Sequence, residues 1–290
     1  NNIYAMDETP VWLDMVSSTT IKSTGSKTVT LKSTGHEKNR VSVCLTAKAN
    51  GEKLKPFIVF KGAKREVEKL NKEFSGKCVV ASSVNGWMDT ELTSEWIDKV
   101  LGTFSFGKRL LAWDTYSCHI EDSASKSLKN KNIDAVLVPG GCTRYIQAPD
   151  DSWNKPFKQH YCTESFDEWL ASSGLMEETA CGNLKPPPRK EVVQWIINAW
   201  EKLSKEMVRE SFISCAVTCA TDGSQDDEIT CFKKEQPCSA GREMLKEQLN
   251  YTNTIESNPF IAEECDVMEA CPNELVIEED EDDDEDIVID

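Results

Sequence analysis

Three aspartates share a local setting in this sequence. Asp7 follows the apolar run Ile3-Tyr4-Ala5-Met6, Asp114 follows Leu110-Leu111-Ala112-Trp113, and Asp150 follows Tyr145-Ile146-Gln147-Ala148-Pro149. Each stands where a strand is expected to end or a helix to begin. A carboxylate at the C-terminal end of a strand projects into the crevice where α/β sheets bind ligands. Three carboxylates on separate elements can share two divalent ions about 3.5–4 Å apart, which stabilise the attacking and leaving oxygens of a phosphodiester displacement. Lysine or histidine could not replace them as ligands of a hard ion such as Mg²⁺. The competing reading is that the aspartates are helix caps and turn formers, in a chain that has 50 acidic residues to place.

The elements that must position these residues are legible from periodicity. Residues 1–62 read as β: Ile3–Met6 and Val11–Leu13 are short apolar runs, and Thr28–Leu31 and Val41–Ala47 alternate or are β-branched. Asn50-Gly51 before Pro56–Phe60 is a hairpin signal, and Val79–Ala81 reads as one more short strand. Leu92, Trp96 and Val100 then recur at helical spacing over Thr90–Leu101, with Thr90 or Thr93 available as cap. Arg109–Trp113 reads as a strand, Ser123–Asn130 as a helix, and Ile133–Val138 as a strand stopped by Pro139-Gly140-Gly141. Asp151–Leu170 reads as a helix burying Trp153, Phe157, Tyr161 and Phe166. After Pro186-Pro187-Pro188, Arg189–Cys215 reads as one or two amphipathic helices. A β meander followed by alternating helices and strands is an α/β pattern with a mixed sheet.

Charge divides the chain. Residues 216–290 carry 23 acidic and 4 basic side chains, a balance of −19, which leaves residues 1–215 at +2 within the total of −17. The acidity therefore does not argue against a nucleic-acid partner for the first part. Glu278–Asp286 is a block of like charge, expected to be disordered and to serve solubility or a protein partner. The expected organisation is a domain over 1–215, an extension over 216–250 with a helix near Ala240–Leu249, and an acidic tail over 251–290. No apolar run reaches the ~18–20 residues of a membrane span, so no membrane partner is expected. The opening Asn1-Asn2-Ile3-Tyr4 has no initiator Met and no signal peptide, and is expected to begin a piece of a longer protein. The 12 cysteines contain no CxxC pair and are expected to be reduced thiols; Cys215-x3-Cys219 and Cys231-x6-Cys238 could supply half of a zinc site, against which stand the absence of a nearby His and spacings looser than zinc sites use.

Longer stretches sharpen the reading. Met6-Asp7-Glu8-Thr9-Pro10-Val11-Trp12 resembles the first catalytic block of pogo/Tigger-type DDE transposases. Thr34–Val43, Leu54–Gly62 and Asn85-Gly86-Trp87-Met88-Asp89 resemble that family's next blocks in order. Leu110–His119 resembles its second catalytic motif, and Gln147-Ala148-Pro149-Asp150-Asp151-Ser152-Trp153-Asn154-Lys155-Pro156-Phe157-Lys158 its third. Trp200–Phe212 and Asp222-Gly223-Ser224 fit its closing helix and tail. The similarity covers about three quarters of the chain.

The resemblance implies an RNase H-like fold, a mixed sheet flanked by helices with a C-terminal helical extension. It also implies a two-ion Mg²⁺ or Mn²⁺ site on Asp7, Asp114 and Asp150, a DNA partner and a nuclear location. There are departures: Thr115 stands where many relatives have Asn, and Ala148-Pro149 where Pro-Leu is usual. Asp150-Asp151 leaves a one-residue ambiguity, resolved for Asp150 by the register of Ser152, Asn154, Lys155, Pro156 and Phe157. Lys61, Lys64, Arg65, Arg144, Lys155 and Lys158 are either a DNA track, neutralising phosphates, or ordinary solvated side chains. His119 either contacts phosphate or water or packs at the strand–helix turn. Glu8 is expected to point away, because side chains alternate along a strand. Three functions fit: a transposase-derived nuclear DNA-binding protein with reduced chemistry, an active metal-dependent DNA endonuclease and strand transferase, and an interaction scaffold that keeps only the fold.

Overall fold

A computed structural model describes residues 2–13, 40–62, 64–172, 185–234, 236, 238–244 and 246–248. The expected strand at Thr28–Leu31, the residues 34–39 of the second family block, and the acidic tail lie outside the described residues.

The strands are β1 (Ile3–Trp12), β2 (Arg40–Lys48), β3 (Phe57–Lys61), β4 (Val79–Ser83), β5 (Arg109–Asp114) and β6 (Ile133–Val138). They form one sheet in the order β4-β3-β2-β1-β5-β6. β2 pairs antiparallel with both β1 and β3, while β3–β4, β1–β5 and β5–β6 are parallel. Among the described strands, only β2 therefore runs against the others. A β1–β3 meander continued on its β1 side by two parallel crossover strands is the RNase H-like arrangement.

Both faces are covered, as the near-continuous burial of β2 requires. Val41, Val43, Leu45 and Ala47 face a core built with α1 (Lys64–Glu73), α5 (Asn154–Tyr161), α7 (Arg189–Lys202) and α8 (Lys205–Ser214). Cys44 faces a second core with Tyr4, Met6, Leu111 and Trp113, closed by α2 (Thr90–Lys99) and α3 (Asp122–Asn130). The remaining α-helices among the described residues are α4 (Thr143–Ile146) and α6 (Asp167–Ser172). Three tryptophans satisfy their indole N–H groups, as burial favours, whereas the indole N–H of the buried Trp113 has no hydrogen-bond partner. Trp96 donates to Thr46 Oγ1 (3.2 Å), Trp153 to Ser211 Oγ (2.8 Å) and Trp200 to the Leu54 carbonyl (2.9 Å).

Several details differ from the pattern-based expectations. β1 is one ten-residue strand, so Asp7 lies within it and pairs with Leu45. The strand survives Pro10 because its ladder to β5 ends at Ala5, leaving an open edge where a missing N–H costs nothing. The cap of α2 is Asp89, whose side chain accepts the Leu92 N–H at 2.9 Å, in place of Thr90 or Thr93. The helix expected over Asp151–Leu170 is interrupted by π turns at Pro149–Trp153 and Cys162–Phe166. In the first, the Asn154 N–H reaches back to the Pro149 carbonyl; Pro156, one turn on, has no N–H to offer a regular ladder. The long final stretch is two helices, with Ser204 capping α8 through the Met207 N–H.

The compact unit carrying the sheet extends to Ser239, and a second unit begins at Ala240. The latter's described residues include one helical backbone bond, from the Met244 N–H to the Ala240 carbonyl. Among the described residues, no helix is long and apolar enough to cross a membrane.

Candidate active site

β1 and β5 pair in register from Ile3–Leu110 to Ala5–Ala112. Continued past the end of the ladder, that register brings Asp114 level with Asp7 on the neighbouring strand. Asp7 is buried, at 7% exposure. Asp150 enters from the first π turn, on the helical run that Trp153 anchors in the core through Ser211.

A single amide joins two of the three carboxylates. Asn154 Nδ2 donates to Asp7 Oδ2 at 2.8 Å and to Asp150 Oδ1 at 2.9 Å. Asp151 is committed elsewhere: its Oδ2 accepts from Ser152 Oγ (2.6 Å) and from Ser214 Oγ on α8 (3.0 Å). Burial pushes the pKa of Asp7 well above the usual carboxylate value. Asp150, Glu8 and Asp114 add to the rise by repulsion, and the Asn154 hydrogen bond offsets part of it.

Asp114 meets a different neighbour. His119 Nδ1–H donates to its Oδ1 at 2.7 Å, and the Tyr116 N–H donates to the same oxygen at 3.1 Å. The other ring nitrogen of His119 donates to Glu8 Oε1 at 3.2 Å, and the ring stacks on Trp113 with centroids 4.3 Å apart. Burial alone would lower the His119 pKa, but hydrogen bonds with Asp114, Cys118 and Glu8 raise it to about 12. The ring is therefore an imidazolium. Burial tends to raise Asp114, yet its bonds with His119 and Tyr116 prevail and hold it below the usual value. Glu8 thus reaches the site through His119, against the expectation from simple alternation. His119 itself is a buried positioning group with both nitrogens engaged.

The basic residues divide. Lys158 on α5 is half-buried beside Asp7 and Asp150; burial lowers its pKa, and those two charges oppose the fall. Lys155 is exposed on the same helix and Arg144 is exposed on α4. Lys61 ends β3, and Lys64 and Arg65 open α1; all three are exposed and sit across β2 from β1.

Sequence reasoning passed over a cleft of about 280 Å³ lined by Asp7, Glu8, Asp114, Arg40, Trp87 and Tyr116, among others. Arg40 opens β2 and Trp87 sits in the β4–α2 loop, so only the strand order reveals that they meet.

The donor set suits a hard divalent cation. It offers carboxylate oxygens, one of them buried with its charge disfavoured, and Asn154 Oδ1 is buried with no hydrogen-bond partner. As placed, no three His, Cys, Asp or Glu side chains among the described residues stand together closely enough to hold an ion. The Asn154 amide and the His119 ring are the groups now serving these carboxylates.

Comparison with known proteins bears on this geometry. Residues 38–212 match the family model described as DDE superfamily endonuclease, a span that includes Asp114 and Asp150. The mouse (Mus musculus) protein "Pogo transposable element with KRAB domain" is 30% identical over 248 residues, covering 83% of this chain and 40% of the relative. Its human (Homo sapiens) counterpart is 28% identical over 235 residues, covering 80% and 37%. The chain thus spans about two fifths of the length of these relatives. Among solved structures, the Mos1 strand transfer complex is 10% identical with a TM-score of 0.44, covering 80% of this chain and 55% of that one. The Mos1 mariner paired end complex with Mn gives 10%, 0.41, 81% and 56%. With more than half its length matched and the pogo relatives aligned over most of it, this chain belongs to the DDE superfamily endonucleases, as a pogo-type, transposase-derived member.

Proposed function

We propose that this domain binds DNA in a nuclear protein, that Asp7, Asp114 and Asp150 take Mg²⁺ or Mn²⁺, and that its strand-cutting chemistry is reduced. The carrying observation is the Asn154 bridge between Asp7 and Asp150, set against the His119 clamp on Asp114. The first gathers two carboxylates; burial and the neighbouring Asp150 disfavour the charge on Asp7, the Asn154 bond offsets only part of that, and a divalent ion would relieve the repulsion there. The second neutralises the third carboxylate with an imidazolium, which weakens its grip on a cation. When bound, such ions stabilise the attacking and leaving oxygens of a phosphodiester displacement. Of the chain's own groups, Lys158 and Lys155 are placed to meet phosphate oxygens near Asp150, and Asn154 keeps Asp7 and Asp150 together.

An active endonuclease and strand transferase is the second reading, favoured by the level register of Asp7 and Asp114 on adjacent strands. The acidic C-terminal segment, by its charge, would engage protein partners.

Two measurements on one preparation decide among these. The thermal midpoint is followed against Mg²⁺ and Mn²⁺, where binding to the folded state raises it with the logarithm of concentration. Nicking of DNA carrying terminal repeats is followed in parallel. A midpoint rise with no nicking supports the reading given first, and nicking abolished by Asp7→Asn with Asp114→Asn establishes the active enzyme. No metal response, no nicking and no shift of the midpoint on adding the same DNA would leave the fold as a scaffold.

A further inference from the structure

The cleft beside Asp7 and Asp114 has a second end that the carboxylates do not explain. There Arg40 lies over the Trp87 ring, with its guanidinium carbon 3.1 Å from the ring centroid. One terminal nitrogen of that guanidinium is buried and has no hydrogen-bond acceptor. Buried donors are almost always paired in folded proteins, so an unpaired one in a cleft wall points to an acceptor supplied by a ligand.

The aromatic wall is held in place. Ser42 Oγ donates to the Gly86 carbonyl at 2.8 Å, tying the loop to β2. Ser83 Oγ accepts the Gly86 N–H (2.9 Å) and donates to the Trp87 carbonyl (2.8 Å), while Asn85 Oδ1 accepts the Trp87 N–H (3.0 Å). Gly86, at φ +80°, permits the tight turn. This network fixes a tryptophan that is nonetheless 45% exposed. Tyr116, 38% exposed, lines the same cleft and is tied by its N–H to Asp114. Four hydrogen bonds to the main chain of Gly86 and Trp87 fix this loop, and the large aromatic side chain it presents in the open contributes little to the core.

We propose that Arg40, Trp87 and Tyr116 form a subsite for one nucleotide of a single DNA strand, next to the Asp7–Asp114 carboxylates. Arg40 donates to a non-bridging phosphate oxygen, and the base stacks between Trp87 and Tyr116. The volume, about 280 Å³, falls just short of the roughly 300–1,000 Å³ of small-ligand pockets, room for a single unpaired unit and too little for a duplex. The charge pattern sets the direction: the phosphate lies at the cationic Arg40 end, away from Asp7 and Glu8. Stacking on an aromatic face is indifferent to base identity, so the subsite grips a frayed or distorted strand of any sequence. The inference rests on the DNA-binding reading above and adds where the strand lies.

The test uses a short single-stranded oligodeoxynucleotide carrying fluorescein and one bromodeoxyuridine, in EDTA, so that no cleavage is needed. Binding is read by anisotropy and the photocrosslink is located by mass spectrometry. The crosslink is expected on Trp87 or Tyr116. Trp87→Ala should weaken binding roughly 5- to 100-fold. Arg40→Ala should weaken it and reduce the slope of log affinity against log salt by about 0.7, whereas Arg40→Lys should keep the slope while losing the stack. If Arg40→Ala does not fold, Trp87→Ala at its exposed site still carries the test. Unchanged affinity in Trp87→Ala, with crosslinks elsewhere, overturns the subsite and leaves the DNA-binding reading standing. No binding by the unsubstituted chain at low salt overturns both.

Discussion

His119 donates its Nδ1 proton to Asp114 over 2.7 Å, and this pair fixes the charge state of the strand end that faces the cleft. The histidine's folded pKa, about 12, lies far above its unfolded value near 6.5. A raised histidine pKa contributes stability that is fully present below about pH 6.5 and is lost as pH rises towards the folded value. Between pH 6.5 and 10 the unsubstituted protein should therefore lose stability, by at most about 1.4 kcal/mol per pH unit from this group. His119→Gln should be less stable at pH 6 and show a flatter profile. Asp114 acts in the opposite window: its depressed pKa contributes stability above about pH 3.9 that is lost as pH falls through the folded value. Nitrogen NMR at pH 8 should find both ring nitrogens of His119 protonated. A neutral imidazole there would mean the clamp is weaker than the geometry indicates.

Much of the site was readable as chemistry and little of it as geometry. The strand-end placement of Asp114 and the helix-start placement of Asp150 follow from apolar runs and a proline. Asp7 reads as a strand end because it follows the apolar run Ile3-Tyr4-Ala5-Met6 and precedes the polar Glu8 and Thr9. In the fold, β2 pairs with β1 through all of this stretch, and pairing with a central strand outweighs local preference. Helix α1 escaped notice because it is short and highly charged. Its signal was the spacing of Val67, Leu70 and Phe74, which are buried. The Arg40–Trp87 stack had no sequence signal, since it depends on β2 and the end of β4 lying near one another across β3.

Lys53 supplies a second test, at a helix end. Its ammonium donates to the carbonyls of Trp200 (2.6 Å), Glu201 (2.8 Å) and Leu203 (2.6 Å), where α7 runs out of intrahelical partners. A cation there also meets the negative end of the helix dipole. Lys53→Met keeps the aliphatic stem and removes the donors. It should cost roughly 1.5–3 kcal/mol in urea unfolding, the range for hydrogen bonds to charged groups. A loss under 0.5 kcal/mol, the level of an ordinary surface change, would show that water replaces the ammonium freely.

The Trp153–Ser211 bond links the run carrying Asp150 to α8. Trp153→Phe retains most of the aromatic contact with Trp200 and Phe212 but leaves Ser211 Oγ without its indole donor. A loss of about 1–3 kcal/mol is expected, from the smaller ring and the lost hydrogen bond. Hydrogen exchange should quicken at the amides of residues 150–158 more than at those of β2. Uniform quickening would instead mean that the bond supports the whole core rather than this run.

The state of Asp7 gives the most direct reading of the site. A carboxylate whose folded pKa is raised favours the folded state less as pH climbs from about 3.9, the unfolded value, through the folded one. At pH 7 in EDTA it is therefore a source of instability, retained beside Asp150 and Glu8 at a cost to the fold. Asp7→Asn removes the like charge and keeps the shape, though its amide can point only one oxygen at Asn154. The variant should melt higher than the parent at pH 7 in EDTA, by roughly 2–4 °C for each kcal/mol recovered in a domain of this size. The difference should shrink towards pH 4, where the parent's Asp7 is protonated. Added Mn²⁺ should then reverse the order, raising the parent and leaving Asp7→Asn where it was, because the ion relieves repulsion only where the carboxylate remains. If Asp7→Asn melts lower than the parent in EDTA, Asp7 is held by its partners more strongly than burial opposes it. The aspartate would then be a structural acceptor for Asn154, with no strain for a cation to relieve.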